Sequence, residues 1–180
     1  FHRYQSKFLN KLYVSLERLA AKKTHKILVV ADRLRDNMLR NNIGNKAQYV
    51  TIRSGINIES FLSDSTKKND IRAKYGFSDS DVVVGTISRI SSLKGHEDLI
   101  KAIPAVINKN KNVKFFWIGD GWLKDKVMKK AKILNVEEKI ILSGLVSPEK
   151  IPDLQKAIDI LVHPSWREGL PRVVVQALAS

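Results

Sequence analysis

The sequence predicts an α/β domain built on a parallel sheet with helices on both faces. From residue 82 onward, short apolar runs alternate with segments of helical periodicity. The apolar runs are continuous rather than alternating, which is typical of strands that are buried on both faces. Strands that alternate with helices of about 10–14 residues form right-handed βαβ units, and such units generate a parallel sheet.

Each element of this sheet can be placed from its apolar pattern. The predicted strands are residues 82–87, 113–118, 139–142 and 159–162. The predicted helices are residues 95–108, 121–134 and 148–157, with a closing helix from about residue 171. The chain from residue 82 therefore consists of four successive strand–helix units.

The region before residue 82 contains two further short strands, predicted at residues 27–31 and 48–52. Asp32 is placed to cap a helix that follows the first of them and runs to about residue 42. Residues 69–75 are predicted to form a short helix that ends at Gly76.

A domain boundary is predicted near residues 53–58, where turn residues precede a polar stretch at 63–69. Residues 1–57 then belong to one domain and its linker, and residues 58–180 to a second domain. The chain begins without a methionine and ends inside a predicted helix, so we expect it to be part of a longer protein.

Residues 1–23 are predicted to form an amphipathic helix with an apolar and a basic side. The apolar side comprises Phe1, Phe8, Leu12, Leu16 and Leu19, and the basic side Arg3, Lys7, Lys11, Arg18 and Lys22. The favoured interpretation is a surface helix that packs through its apolar stripe. A helix that presents its basic side to an acidic membrane is the main alternative, and nucleic-acid binding is a third.

Composition excludes several classes of function. The absence of cysteine rules out disulfides, thiol catalysis and cysteine-type zinc sites, and the four histidines have no metal-ligand spacing. We interpret these histidines as isolated. No apolar run approaches the length of a membrane-spanning helix, and no signal-peptide pattern is seen. The net charge of +14 is concentrated in residues 1–60, where twelve Lys or Arg face four Asp or Glu, and it favours anionic partners.

The loops that follow the predicted strands contain the candidate site, because ligands bind at the carboxyl ends of parallel strands. These loops are residues 88–95, 119–121, 143–147 and 163–171. Arg89 and Lys94 lie in the first loop, just before a helix that begins at Gly95, and could clamp a diphosphate together with free helix N–H groups. Two solvated basic residues are the alternative. No P-loop or Gly-x-Gly-x-x-Gly pattern is present.

The last loop supplies a carboxylate, Glu168, beside the flexible backbone of Gly169. Glu168 could accept hydrogen bonds from sugar hydroxyls, and Gln176, eight residues later, could bind a second pair of hydroxyls. An exposed glutamate and an ordinary helical glutamine are equally compatible with the spacing. We find no Ser/His/Asp arrangement and no acid pair placed for hydrolysis, and we predict no metal site.

Four motifs, taken together, resemble the retaining family 4 glycosyltransferases, which have the two-domain GT-B fold. They are Ser88-Arg89 with Leu93-Lys94-Gly95-His96, then Ile118-Gly119-Asp120-Gly121, then Leu142-Ser143-Gly144, and finally the run from His163 to Pro171. Residues 58–180 resemble the first two-thirds of the Rossmann-like nucleotide-sugar-binding domain. Residues 1–57 resemble the end of the acceptor domain and the interdomain linker.

The resemblance implies a role for each matching residue. Arg89 and Lys94 would hold the donor diphosphate and steady the leaving group, and Glu168 would contact the donor sugar. The other donor-binding positions are the turn at Gly119, the base-pocket wall Gly144, Leu145 and Val146, the loop N–H groups of Gly169 and Leu170, and Gln176 at the ribose. The family has a glutamate at this last position, so we expect ribose binding here to persist but weaken modestly.

The resemblance further implies transfer of a sugar from a nucleotide-diphosphate sugar to a glycan or lipid-linked acceptor, with retention of configuration and without a required metal or other cofactor. We expect a cytoplasmic protein, with peripheral attachment to the inner face of the cell membrane through residues 1–23, and no nucleic-acid partner. The alternative is a non-enzymatic basic α/β module that binds nucleic acid or acidic membrane. We expect residues 1–180 alone to be inactive or poorly folded, because the sheet would end in an uncovered edge.

Overall fold

The computed structural model describes residues 6–62 and 67–180. The chain divides into two compact units, Phe1–Gly55 and Ile56–Ser180. The division falls inside the segment of residues 53–58 that the turn chemistry singled out. The assignment of the first unit to an acceptor domain stays a prediction.

The first unit contains two helices and two short parallel strands. They are α1 (Lys7–Lys22), β1 (Ile27–Val29), α2 (Asp32–Arg40) and β2 (Tyr49–Thr51). Both strands are shorter than predicted. Asp32 does not cap α2 as expected, because the cap position is Ala31 and Asp32 is the first helical residue. Its carboxylate instead accepts a 2.7 Å hydrogen bond from Thr51 Oγ1 and so links α2 to β2.

Helix α1 corrects the favoured interpretation of residues 1–23, of which residues 1–5 lie outside the described part. The helix begins after Ser6, whose Oγ accepts a hydrogen bond from the Leu9 N–H. Its apolar stripe is exposed rather than packed, with Phe8 76 % and Leu16 52 % exposed. Among the described residues of this helix, Ala21 alone is buried.

The second unit follows the predicted alternation of strands and helices. Its helices are α3 (Glu59–Leu62), α4 (Lys67–Lys74), α5 (His96–Lys109), α6 (Lys124–Ile133), α7 (Ile151–Lys156) and α8 (Arg172–Leu178). Its strands are β3 (Val82–Ile87), β4 (Val113–Ile118), β5 (Ile140–Gly144) and β6 (Ile160–Leu161). The bounds of β3 and β4 coincide with the prediction. Helix α3 was not predicted.

The four strands form one parallel sheet in the order β5-β4-β3-β6. One face packs against α5 and α6 through a core that includes Trp117, Ile100 and Val127. The other face packs against α7 and the segment after α4, through Phe116, Leu154 and Phe77 among others. The predicted α/β architecture with helices on both faces of a parallel sheet is thus confirmed.

The strand order reverses at β3, and this reversal defines where a ligand can bind. From β3 the chain proceeds outward to β4 and β5, and then returns to place β6 on the opposite side of β3. In open parallel sheets, ligands bind at the carboxyl ends of the two strands on either side of such a reversal, here β3 and β6. The loops at this switch point are residues 88–95 and 162–171.

Strand β6 has only two residues, and an ion pair with the buried Arg72 fixes Asp159, the residue before the strand. Asp159 Oδ2 lies 3.1 Å from Nη1 of Arg72, which is 5 % exposed, and accepts a 2.8 Å hydrogen bond from the Val83 N–H. This arrangement ties α4, β3 and the start of β6 together. No helix in the described ranges combines the length and the apolarity needed to cross a bilayer.

Candidate functional site

The loops at the carboxyl edge of the sheet contact one another in the order of the strands. At the β5–β4 step, Gly144 and Gly119 form an isolated bridge. Ser143 Oγ accepts a 3.2 Å hydrogen bond from the Gly119 N–H and donates to the Gly144 carbonyl at 2.8 Å. The two glycines that were predicted to bind donor therefore lie side by side.

At the β4–β3 step, glycines allow the backbones to approach closely. Gly119 has φ +134° and lies so near the Ser88 carbonyl that a Cβ would overlap it. Gly121 lies equally near the Ile90 carbonyl, and the Ile90 N–H donates to the Asp120 carbonyl at 3.0 Å. The Gly119–Gly121 turn thus supports the loop that carries Arg89 and Lys94.

At the β3–β6 step, two predicted site residues meet. Lys94 Nζ lies 2.6 Å from Glu168 Oε1, and both side chains are largely shielded from solvent. Gly95, with φ +74°, lies against the carbonyl of Pro164, where a Cβ would not fit. Lys94 and Glu168 are therefore brought together at the switch point of the sheet.

The charge of Glu168 is stabilised by its neighbours. Partial burial would raise the pKa of the Glu168 carboxyl, but hydrogen bonds from Lys94 and Ser165 and the charge of Lys94 lower it below the usual 4.5. Glu168 is consequently an anion at neutral pH. An ionised carboxylate accepts strong hydrogen bonds from hydroxyl groups, as a sugar would supply.

His163 lies next to Glu168, although it was not among the predicted site residues. Its Nε2 lies 3.3 Å from Glu168 Oε1, although no hydrogen bond with proper geometry joins them. His163 thus has a carboxylate as its neighbour, while the interpretation that the histidines bind no metal stays a prediction. Its position at the end of a predicted strand, five residues before Glu168, was the available signal.

Arg89 differs from Lys94 in its surroundings. The Arg89 side chain is exposed, and within residues 6–62 and 67–180 its guanidinium has no hydrogen-bond or ion-pair partner. Lys94, by contrast, already neutralises Glu168. Of the two cations of the predicted clamp, Lys94 is thus paired with the acid, whereas Arg89 has no such partner in the described part of the chain.

The remaining predicted positions lie around this pair. Gly144 adopts φ +69° with open space at its Cβ position, and Leu145 after it is 86 % exposed. Gly169 is exposed, and Gln176 is half-buried in α8. No hydrogen bond of the described residues joins the Gln176 side chain to Glu168 or Lys94. The roles of these positions at the base and the ribose stay predictions.

The buried His96 limits the positive charge of the site. It is 1 % exposed, packs edge-on against Trp117 with ring centroids 5.2 Å apart, and burial lowers its pKa to about 4. His96 is therefore neutral at physiological pH, so Arg89 and Lys94 are the cations of the first loop. Among the described residues, no group of three potential metal-binding side chains is arranged to hold an ion.

The chain is similar to known glycosyltransferases in sequence and in fold. Residues 67–180 match the family described as Glycosyl transferases group 1. The chain is 26 % identical over 164 residues to the alpha-D-kanosaminyltransferase of Streptomyces kanamyceticus, covering 90 % of this chain and 42 % of that protein. It is 25 % identical over 138 residues to the alpha-monoglucosyldiacylglycerol synthase of Streptococcus pneumoniae, covering 75 % of this chain and 31 % of that protein.

The crystal structure of Anabaena HepE in complex with UDP and glucose has the same fold, with a TM-score of 0.79 and 22 % identity, over 92 % of this chain and 46 % of that one. The GT-B type of fold that the motifs implied is thereby confirmed. The chain spans less than half the length of each of these three proteins. The match over residues 67–180, together with the fold, shows that the chain belongs to the group 1 glycosyltransferase family.

Proposed function

We propose that the protein transfers a sugar from a nucleoside-diphosphate sugar to a glycan or lipid-linked acceptor, with retention of anomeric configuration. Family membership supports sugar transfer in general. The observation that carries the proposal for this chain is the 2.6 Å contact of Lys94 with Glu168 at the switch point. Lys94 shares its loop with Arg89, which has no hydrogen-bond or ion-pair partner among the described residues. One anion and two cations at one edge of a sheet match the hydroxyls and the diphosphate of such a donor.

In this proposal the diphosphate binds at the loop before α5. Arg89 and Lys94 supply the charge, and the free N–H groups at the start of the 14-residue α5 add the positive end of its dipole. These groups stabilise the negative charge that develops on the leaving nucleoside diphosphate. A metal is not required for this step, since the cations of the protein perform the same role.

Glu168 would hold the donor sugar next to the diphosphate. Because its carboxylate is fixed by Lys94, a sugar hydroxyl bound to it would occupy a defined position relative to the phosphate. Retention would be measured by proton NMR of the product, in which the anomeric coupling constant distinguishes the two configurations. A product of inverted configuration would contradict this part of the proposal.

The central test is calorimetric binding of UDP, GDP and ADP to the whole protein. UDP is the first candidate, because HepE was crystallised with UDP and glucose. We expect one diphosphate to bind, and Arg89→Ala and Lys94→Ala each to weaken it by roughly tenfold, as loss of a charge-assisted contact would. Lys109→Ala, at the far end of α5, is the matched control and should bind like the wild type. Absence of binding by all three nucleotides would refute the proposal.

For the acceptor, we propose a substrate that is reached at the inner face of the membrane. The alpha-monoglucosyldiacylglycerol synthase is named for a lipid product, and α1 exposes Phe8 and Leu16 alongside the basic residues of its other side. Vesicles of neutral and of acidic phospholipid would test this attachment. We expect binding to the acidic vesicles only, and loss of binding when Lys7, Lys11 and Lys22 are replaced by glutamine. Equal binding to neutral and acidic vesicles would contradict attachment through the basic side of α1.

The alternative of a nucleic-acid-binding module is tested in the same preparation. It predicts DNA binding with a steep dependence on salt and no competition by nucleoside diphosphates. A transferase is expected to bind a nucleoside diphosphate, and any weak DNA binding should be displaced by that nucleotide.

A further inference from the structure

The loop that carries Glu168 is attached to the first turn of α5 by a second contact, made by Trp166. The indole Nε1–H of Trp166 donates a 2.7 Å hydrogen bond to Asp98 Oδ2. The main-chain N–H of the same residue donates to the Leu93 carbonyl at 3.0 Å. Trp166 therefore binds the β3–α5 segment on both sides of Lys94, one residue before it and four residues after it.

Burial does not explain this tryptophan. Trp166 is 69 % exposed, so little of its apolar surface is removed from water. Its contribution must come from its directed contacts. The preceding residue also lies near this segment, because Ser165 Oγ is 3.2 Å from the Leu93 carbonyl and 3.2 Å from the Arg167 carbonyl, and its single proton serves one acceptor at a time.

The acceptor of the indole hydrogen bond is charged. Hydrogen bonds from Lys101 and from Trp166 lower the pKa of the Asp98 carboxyl. Lys101 Nζ lies 3.1 Å from Asp98 Oδ1, which leaves Oδ2 for the indole. The bond is thus charge-assisted, and such bonds are shorter and stronger than neutral ones.

We propose that the Asp98–Trp166 pair is a clasp that sets the position of Glu168 relative to Lys94, and that both residues position the sugar part of the donor without touching it. This inference rests on the proposed function. Arg89 and Lys94 lie on the β3–α5 loop itself and keep their places when the clasp is broken. Glu168 lies on the other loop, so it loses its position when the clasp is broken. Loss of the clasp should therefore leave binding of the diphosphate unchanged and shift the position in which the sugar is bound.

The test compares the affinity of the whole protein for a bare nucleoside diphosphate with its affinity for the sugar ester. The probes are whichever of UDP, GDP and ADP binds, and the glucose, galactose and N-acetylglucosamine esters of that nucleotide. Trp166→Phe keeps an aromatic ring but removes the indole N–H that donates the hydrogen bond. Asp98→Ala removes the carboxylate that accepts this hydrogen bond, and Asp98→Asn replaces it by a neutral amide oxygen that can still accept it. The controls are Lys101→Met, which removes the ion pair at Asp98 Oδ1 but keeps both groups of the Asp98–Trp166 hydrogen bond, and Trp122→Phe, which alters another exposed tryptophan.

We expect Trp166→Phe and Asp98→Ala to reduce the gain in affinity due to the sugar by roughly fivefold, and to change the affinity for the bare diphosphate by less than about twofold. Asp98→Asn should recover part of the loss, because its amide oxygen still accepts. Both controls should match the wild type. In ¹H–¹⁵N spectra, the indole N–H signal of Trp166 should shift in Asp98→Ala and stay in place in Lys101→Met.

Three results would overturn the clasp. The first is that the sugar ester still binds more tightly than the bare diphosphate by the same factor in Trp166→Phe and Asp98→Ala as in the wild type. The second is an equal loss for the bare diphosphate and the ester, which would indicate a general structural role. The third is a wild-type protein that binds no ester more tightly than the diphosphate. A wild-type protein that binds no diphosphate at all removes the proposed function itself, and this is seen before any variant is made.

Discussion

Lys94 and Glu168 are 74 positions apart in sequence, yet Nζ of the first lies 2.6 Å from Oε1 of the second. The contact joins the two loops between which the strand order reverses. A diphosphate and the carboxylate of Glu168 are both anions, and Lys94 placed between them would reduce their mutual repulsion. The pair therefore links the sugar and phosphate subsites of the proposed site.

The first prediction concerns the titration of Glu168. Its pKa lies below 4.5, so the ion pair is present above the usual pKa and is lost as the pH falls through the lowered value. Replacement of Lys94 by methionine removes the cation but leaves the partial burial, so the Glu168 pKa should rise. Carboxyl ¹³C NMR of the protein would measure both titrations.

The matched control for this titration is Lys124→Met. Lys124 forms a similar pair with Asp120 in the neighbouring loop, at 3.1 Å, and does not contact Glu168. It should leave the Glu168 titration unchanged. Identical Glu168 titrations in the wild type and in Lys94→Met would show that the ion pair does not form in solution.

A second prediction uses two glycines with the same backbone conformation. Gly95 and Gly76 have φ +74° and +71°, but a Cβ at Gly95 would overlap the Pro164 carbonyl, whereas a Cβ at Gly76 would meet open space. Gly76→Ala should cost about 1 kcal/mol in the free energy of unfolding, from the left-handed conformation alone. Gly95→Ala should cost more and also weaken binding of the nucleoside diphosphate, because Pro164 and the Glu168 loop must move away. Denaturant unfolding and calorimetry would measure the two effects. Equal losses in both variants would refute the role of the close approach.

The sequence predicted the central strands of the sheet better than the helices outside it. The bounds of β3 and β4 follow from continuous apolar runs, which burial on both faces requires. Helix α3 was missed because its four residues are too few for a periodic pattern. The apolar stripe of α1 was placed on the helix correctly, but what it packs against depends on more than its own pattern.

The same distinction holds for the site. That Lys94 and Glu168 lie at one edge follows from the direction of parallel strands, which a sequence reveals. The contact of Trp166 with Asp98 spans 68 positions of sequence, and the approach of His163 to Glu168 spans five, but both depend on the path of the same loop. No periodic pattern specifies such contacts.

A third prediction concerns Gln176, where the resemblance noted in the sequence implies a glutamate in other members of the family. If Gln176 binds the ribose, Gln176→Glu should tighten binding of the nucleoside diphosphate by roughly threefold to tenfold, because a charge-assisted hydrogen bond replaces a neutral one. Calorimetry with the ribose and the 2′-deoxyribose forms of the nucleotide would measure this gain. The gain should shrink with the deoxy form, which lacks one hydroxyl. Unchanged affinity for the ribose form would exclude Gln176 from the ribose site.

The last prediction concerns the stability of the fold below neutral pH. His96 is 1 % exposed and titrates at about 4 in the folded chain instead of the usual 6.5. Between these values the unfolded chain binds a proton that the folded chain does not, so the free energy of unfolding should fall as the pH is lowered, by about 3 kcal/mol over the whole window. His96→Phe preserves the edge-on contact with Trp117 and should abolish this part of the pH dependence, whereas replacement of the exposed His25 by glutamine should not. Denaturant titrations at pH 4.5, 5.5 and 7 would measure the free energy of unfolding at each pH. If this free energy changes with pH in His96→Phe as it does in the wild type, the acid sensitivity belongs to other groups.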